Sequence, residues 1–185
     1  MSAETKKIPL GSGKLYISEF NGTMPELSTV AAEDNLLGLI QGGASVEYTP
    51  TFYTAEDDLG LVKRKIITKE EAKLKSGVMT WNGNTLQKTC STARVSEKTI
   101  GDKKVRQVKI GGIKNYDGKK YILLFVNEDP EFGFTRLAIV GSNEGTLSFT
   151  YAKDKETVIN IEFNAEPHDS DGTLILYEEE VLETA

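Results

Sequence analysis

A mainly β fold with one helix is what this sequence predicts, and three observations carry the prediction. Apolar residues recur at every second position in several windows, turn-forming residues separate those windows, and one window has apolar residues at helical spacing.

The period of two is cleanest over residues 156–165. There Ile159, Ile161, Phe163 and Ala165 point one way and Val158, Asn160, Glu162 and Asn164 the other, so one face is apolar and one wet. Residues 145–152 repeat it, with Leu147, Phe149 and Tyr151 against Thr146, Ser148 and Thr150. Residues 44–54 place Val46, Tyr48 and Phe52 opposite Glu47, Thr49 and Thr51. Pro50 has no N–H to give a ladder, which predicts an edge strand or a bulge there. Further strands are predicted over 14–20, 61–67, 72–79, 105–110, 120–126, 135–140 and 173–178. The run 121–126 is apolar on both faces and predicts a buried strand. Asp117-Gly118, Asn143-Glu144-Gly145 and Asp171-Gly172 mark turns, so residues 140–151 and 151–163 each read as a hairpin.

The helix is predicted over 83–93. Asn82 or Asn84 caps it, and Leu86, Cys90 and Ala93 follow at i, i+4 and i+7. Residues 36–40 fit a short helix or a strand equally well.

At 185 residues, 38% apolar and 27% charged, the chain suits one folded domain. No run of about 18 apolar residues occurs, and residues 1–7 lack the apolar stretch of a secretory signal. The expectation is synthesis in the cytosol, with no membrane insertion by the chain itself. Cys90 is the single cysteine, so no intrachain disulfide can form. The net charge is −6, unevenly spread. Residues 1–60 hold 3 Lys/Arg against 9 Asp/Glu, residues 61–127 hold 16 against 5, and residues 128–185 hold 3 against 14. Segments of opposite sign either neutralise one another within the fold or attract neighbouring copies.

No catalytic constellation is legible, and the chain reads as no enzyme. One His and one Cys cannot make a His/Cys zinc site. His168 sits in PHDSD, which reads as an exposed turn, and Cys90 reads as a small hydrophobe of the helix. Gly11-Ser12-Gly13-Lys14 lacks the earlier Gly and following Ser/Thr of a phosphate loop, where Ile8 and Leu15 stand instead. Asp169-Ser170-Asp171-Gly172 with Glu178 would put Pro167 at the first ligand position of a calcium loop. No metal or cofactor is therefore expected. The basic residues of 61–127 are interleaved with no aromatic platform for single strands. An acidic chain repels DNA at long range, which suits a conduit better than a binder.

Five stretches resemble the tail tube (major tail) proteins of long-tailed bacteriophages of Gram-positive, clostridial-type hosts: GGASVEY at 42–48, IITKEEAKLKSGVMTWNG at 66–83, VKIGG at 108–112, AKDKETVI at 152–159 and GTLILYEEE at 172–180. The resemblance covers roughly residues 40–180. It implies a β-sandwich or half-barrel with one flanking helix, six copies in a ring, and an inner sheet that completes one barrel across the ring. The rings stack into a hollow tube in the virion tail, with an acidic lumen through which double-stranded DNA passes without specific binding. Implied partners are further copies, a tape-measure protein inside the tube, and tail terminator and tail-tip proteins. The alternatives are a tube or terminator protein of a related injection or secretion apparatus, and a β-sandwich glycan-active enzyme. Paired acids such as Asp57/Asp58 suit the enzyme poorly, because strand neighbours point to opposite faces.

On that reading the chain is one domain, 1–185, with an N-terminal arm at 1–13, long strands and a projecting hairpin over about 44–80, and a C-terminal tail at 181–185. A half-barrel leaves open sheet edges that pair with a neighbour's, a heterologous contact that closes into a ring. The hairpin tip, residues 53–65, carries Glu56, Asp57, Asp58, Lys63, Arg64 and Lys65 as candidates for contact with a neighbouring subunit. A wall that lets DNA slide is acidic or neutral and alternates apolar with polar residues, which nominates Glu47, Asn160 and Glu162 for the lumen. Lys73 and Lys75 share a face of residues 72–79 and mark the competing wall.

Overall fold

The computed structural model describes Ile8 and residues 11–182. Most of the predicted arm at 1–13, and residues 183–185 of the predicted tail, lie outside the described residues.

The fold is mainly β, as the alternation predicts. Strands β1 (Lys14–Glu19), β2 (Leu36–Gly38), β3 (Ile40–Glu56), β4 (Lys63–Val78), β7 (Tyr121–Asp129), β8 (Gly133–Asn143), β9 (Ile159–Ala165) and β10 (Ile175–Glu179) build one large sheet. Its order is β2-β1-β7-β8-β9-β4-β3, antiparallel throughout, with β10 also on β8. A separate hairpin joins β5 (Arg94–Ile100) to β6 (Lys103–Lys109). Two helices, α1 (Leu27–Val30) and α2 (Gly83–Thr89), pack on the strands.

Two features of the topology shape the sheet. First, β2 and β3 sit at opposite ends of the order, yet only Leu39 separates them. The sheet therefore curls until its ends meet at one corner, where Met79 N donates to Leu39 O (2.7 Å) and Leu39 N to Thr80 Oγ1 (2.7 Å). The curl stops short of a barrel: among the described residues β2 pairs with β1 alone and β3 with β4 alone. Second, one edge of β8 is shared. Thr135–Ile139 pair with β10 and Gly141–Asn143 with β9, so the sheet forks at Val140.

The central strands alternate between two apolar clusters, which is why the run 121–126 has no polar face. Leu15, Ile17, Leu123 and Ile139 pack with Leu74, Val78, Ile159, Ile161 and Phe163. Tyr16, Ile122, Leu124, Ala138 and Val140 pack on the other side with Leu27 and Val30 of α1. Each Val, Leu, Ile or Phe side chain among them contributes about 1.5–3 kcal/mol by leaving water.

The helix is shorter than the predicted 83–93. Asn82 caps it, its side chain accepting from Asn84 N (2.8 Å) and Thr85 N (3.3 Å), with Thr85 Oγ1 accepting from Asn82 N in return (3.3 Å). It stops at Thr89 because Asn143 Nδ2 donates to Thr89 O (2.7 Å), the carbonyl a further turn would use. Cys90 is extended there, with Sγ 3.6 Å from Thr92 Oγ1, so it is not on a helix face.

Residues 145–152 form no strand, and of the two hairpins predicted around them only an isolated antiparallel bridge between Ala152 and Lys155 forms. The side chain of Asn143 accepts from Gly145 N (3.3 Å) and Glu162 N (2.8 Å), filling the position on β9 that a returning strand would take. The segment runs instead as a loop, with Leu147 against the core and Phe149 on Trp81, ring centroids 5.4 Å apart. The predicted strands 61–67 and 72–79 are two parts of β4, joined across polar residues 68–71, and residues 36–40 are extended.

Candidate assembly interface

β3 and β4 are 17 and 16 residues long, but β9 supports β4 only from Lys73 to Val78. Beyond Ala72 the pair continues as a two-stranded ribbon. Residues 48–56 alone span about 30 Å at the usual rise per residue. Pro50 lies in this unsupported part of β3, whose outer edge is unpaired among the described residues, and the register shifts once after Thr51. Tyr48 and Phe52 point to one side of the ribbon and Tyr53 to the other, with Ile66 and Ile67 opposite, and all five are about half exposed.

The ribbon's end is built by its turn. Asp57 accepts from Val62 N (2.6 Å) and Leu59 N (3.3 Å), and these backbone donors, Val62 first, hold its carboxyl below the usual range. Glu56 pairs with Lys63 at 2.8 Å. Lys65 Nζ lies 4.1 Å over the Phe52 ring. Asp58 and Arg64 are exposed beside them. Leu59, Leu61 and Val62 crown the tip at 79%, 78% and 70% exposure. Sequence reasoning selected the charged tip residues and missed these apolar ones. Their signal was an apolar triplet inside a turn, where solvation alone favours polar residues.

The three lumen candidates share one face, and the two lysines share it with them. In register, Glu47 stands opposite Lys73, Lys75 opposite Glu162, and Gly77 opposite Asn160. The ion pairs run diagonally: Lys73 to Glu162 at 2.8 Å and Lys75 to Glu47 at 2.9 Å. The hydrogen bond between them, as leading cause, lowers the Glu162 pKa and raises that of Lys73. The competing walls proposed from sequence are therefore one surface, a quartet of two cations and two anions with no net charge. Farther along, Lys69 pairs with Glu71 and Tyr48 donates to Glu70. Beside the quartet an open depression of about 540 Å³ is lined by Gln41, Gly43, Lys75, Thr146, Asn160 and Glu162.

His168 is not on an exposed turn, because its side chain is only 4% exposed. Its Nδ1 is buried with no partner among the described residues, and its Nε2 is 4.0 Å from Asp169. The exposed turn is Asp169–Thr173, where Asp169 accepts from Asp171 N (3.0 Å) and Thr173 N (2.9 Å). Among the described residues no three His, Cys, Asp or Glu side chains converge as metal ligands, and no helix is long and apolar enough to cross a membrane. The chain matches no family model and no curated protein sequence.

Proposed function

We propose that this chain is a structural tube protein of the bacteriophage tail type, assembling by rings into a hollow conduit for double-stranded DNA. The observation that carries the reading is the β3–β4 ribbon. A two-stranded ribbon with apolar residues on both sides and an unpaired edge is marginal alone in water, and it is a template for another chain. Neighbouring copies supply that cover: the curled, unclosed sheet of each subunit contributes one sector of a common barrel, six to a ring. The ribbon's tip, with Glu56, Asp57, Asp58, Lys63, Arg64 and Lys65 around Leu59, Leu61 and Val62, docks on an adjacent subunit.

The face of Glu47, Asn160 and Glu162 suits the lumen. Its lysines are held by carboxylates of the same face, so they offer little to phosphates through counterion release.

Negative-stain electron microscopy of the concentrated protein tests the reading. Rings or tubes about as wide as a phage tail are expected, and a field of isolated monomers rejects it. The lumen assignment has its own test. Glu47→Lys with Glu162→Lys turns the neutral quartet cationic, and virions carrying both changes should form tails that eject DNA slowly. Unchanged ejection removes these residues from the lumen.

A further inference from the structure

We infer that the β5–β6 hairpin is a second assembly surface, distinct from the ribbon, and that its partner is the acidic β7–β8 end of another copy of this chain. This rests on the assembly reading above.

The hairpin is a two-stranded sheet of its own. Its base is fixed tightly on α2: a Cβ added at Gly83 would lie 2.7 Å from Arg106 Cδ and 3.0 Å from Val108 Cγ2. Its outer part is exposed, with Ile100 at the turn more than half open to solvent. Arg106 is neutralised by Glu97 at 2.9 Å. Lys98, Lys103 and Lys104 cluster around that turn and pair with no carboxylate of their own chain among the described residues. Asp102 is the one acid of the turn.

The complementary charge lies at the far end of the central sheet. The β7–β8 turn carries Glu128, Asp129 and Glu131, and the end of β10 brings Glu179 and Glu180 beside it, Glu180 N donating to Phe134 O at 3.0 Å. Glu128 and Glu131 are exposed and have no cation partner among the described residues. No ion pair joins the two ends within one subunit among the described residues, and the base of the hairpin lies at the opposite end of β8 from the acidic turn. The last carbonyl of α2 is bonded by Asn143, at one end of β8, whereas the acidic turn adjoins Gly133, at the other. Those residues are ten apart in one strand, about 33 Å.

Lys98, Lys103 and Lys104 at one end, and Glu128 and Glu131 at the other, are like-charged groups that no ion pair within the described residues neutralises. A patch that fits a different patch of an identical copy makes a heterologous contact, which propagates as a head-to-tail stack. Like charges oppose the reversed, head-to-head arrangement.

Sedimentation of assembled protein against concentration and salt tests this. The samples are wild type, Lys98→Glu/Lys103→Glu/Lys104→Glu, Glu128→Lys/Glu131→Lys, and the five changes combined, each matched for thermal melt. Wild type should assemble less as salt rises. Either single-surface variant should need on the order of tenfold more protein to assemble, because like charges now face each other. The combined variant restores the sign match and should recover most of the loss. The inference is overturned if wild type assembles and the lysine variant does so at the same concentration with the same salt response, or if the combined variant is no better than its parents. It is also overturned if the three lysines instead retain duplex DNA in a gel shift while assembly is unaffected by their reversal. A wild type that stays monomeric at every concentration sinks the tube reading with it.

Discussion

Gly141→Ala probes the fork of the sheet. Gly141 is the first of three β8 residues that pair with β9, opposite Ala165, and through β9 they connect the central strands to the ribbon. A Cβ at Gly141 would lie 2.9 Å from the carbonyl carbon of Asn164 and closer still to its oxygen. Ordinary contact begins at 3.4 Å, so relieving the carbon contact alone moves β9 by about 0.5 Å, and the obstacle is backbone that no rotamer change can withdraw. Overpacking of this kind costs typically 1–3 kcal/mol, and the backbone clash puts this site at the upper end, about 3 kcal/mol. For a chain of this length that lowers Tm by about 6–12 °C. Gly101→Ala is the control, with φ +60° and nothing within 4 Å of its Cβ. It carries only the conformational cost of a left-handed residue, about 1 kcal/mol, or about 2–4 °C. Thermal melts followed by circular dichroism compare the two. If Gly141→Ala melts within 2–4 °C of wild type, as the control should, β9 is not held against β8 as closely as the Gly141–Asn164 contact requires.

Three further outcomes are expected. Phe163→Ala empties a fully buried site in the main cluster and should cost about 3–5 kcal/mol, a Tm drop of about 6–20 °C; a loss below 1 kcal/mol rejects its place in the core. Asp57→Ala removes the acceptor of Val62 N and Leu59 N, so assembly should weaken while the melt of the body stays unchanged, and equal assembly refutes the contact at the tip. Glu162 is held below its ordinary pKa and Lys73 above, so the Glu162 contribution is present above the ordinary glutamate range and lost as pH falls through the folded value. The Lys73 contribution is present below the ordinary lysine range and lost as pH rises through its folded value. Tm against pH should therefore fall off less on the acid side in Glu162→Gln than in wild type, and parallel acid limbs reject the coupling.

Period-two patterning made the individual strands legible wherever one face met solvent, as in β9. It could not supply their pairing. Nothing in the run 145–152 announces that an asparagine side chain two residues upstream occupies the edge it would need, and so a good alternation became a loop. The ribbon misled in a different way. Its middle, Thr68 to Glu71, is polar on successive positions because water lies on both sides, and that broke one strand into two predictions. β5 escaped notice because Arg94, Glu97 and Lys98 leave only Val95 and Ile100 as apolar markers over seven residues. At the candidate interface, the sequence offered Glu47 and Glu162 or Lys73 and Lys75 as rival walls, because facing can be read along one strand but register between strands cannot. Only the ladder shows the four side chains on one surface.

The order of the strands along the chain also has a consequence during synthesis. The ribbon is complete once Val78 has left the ribosome, but β9, which holds its base, begins at Ile159, 81 residues later. At about 5–20 residues per second, that interval lasts roughly 4–16 s. Throughout it a long hairpin with Phe52, Tyr53, Ile66 and Ile67 in water trails the ribosome without its supporting strand. Lys63, Arg64, Lys65, Lys69, Glu70 and Glu71 interrupt the apolar runs on either side, which is the composition that keeps a nascent edge from pairing with another nascent chain. These charges guard the hairpin while the chain is still being made.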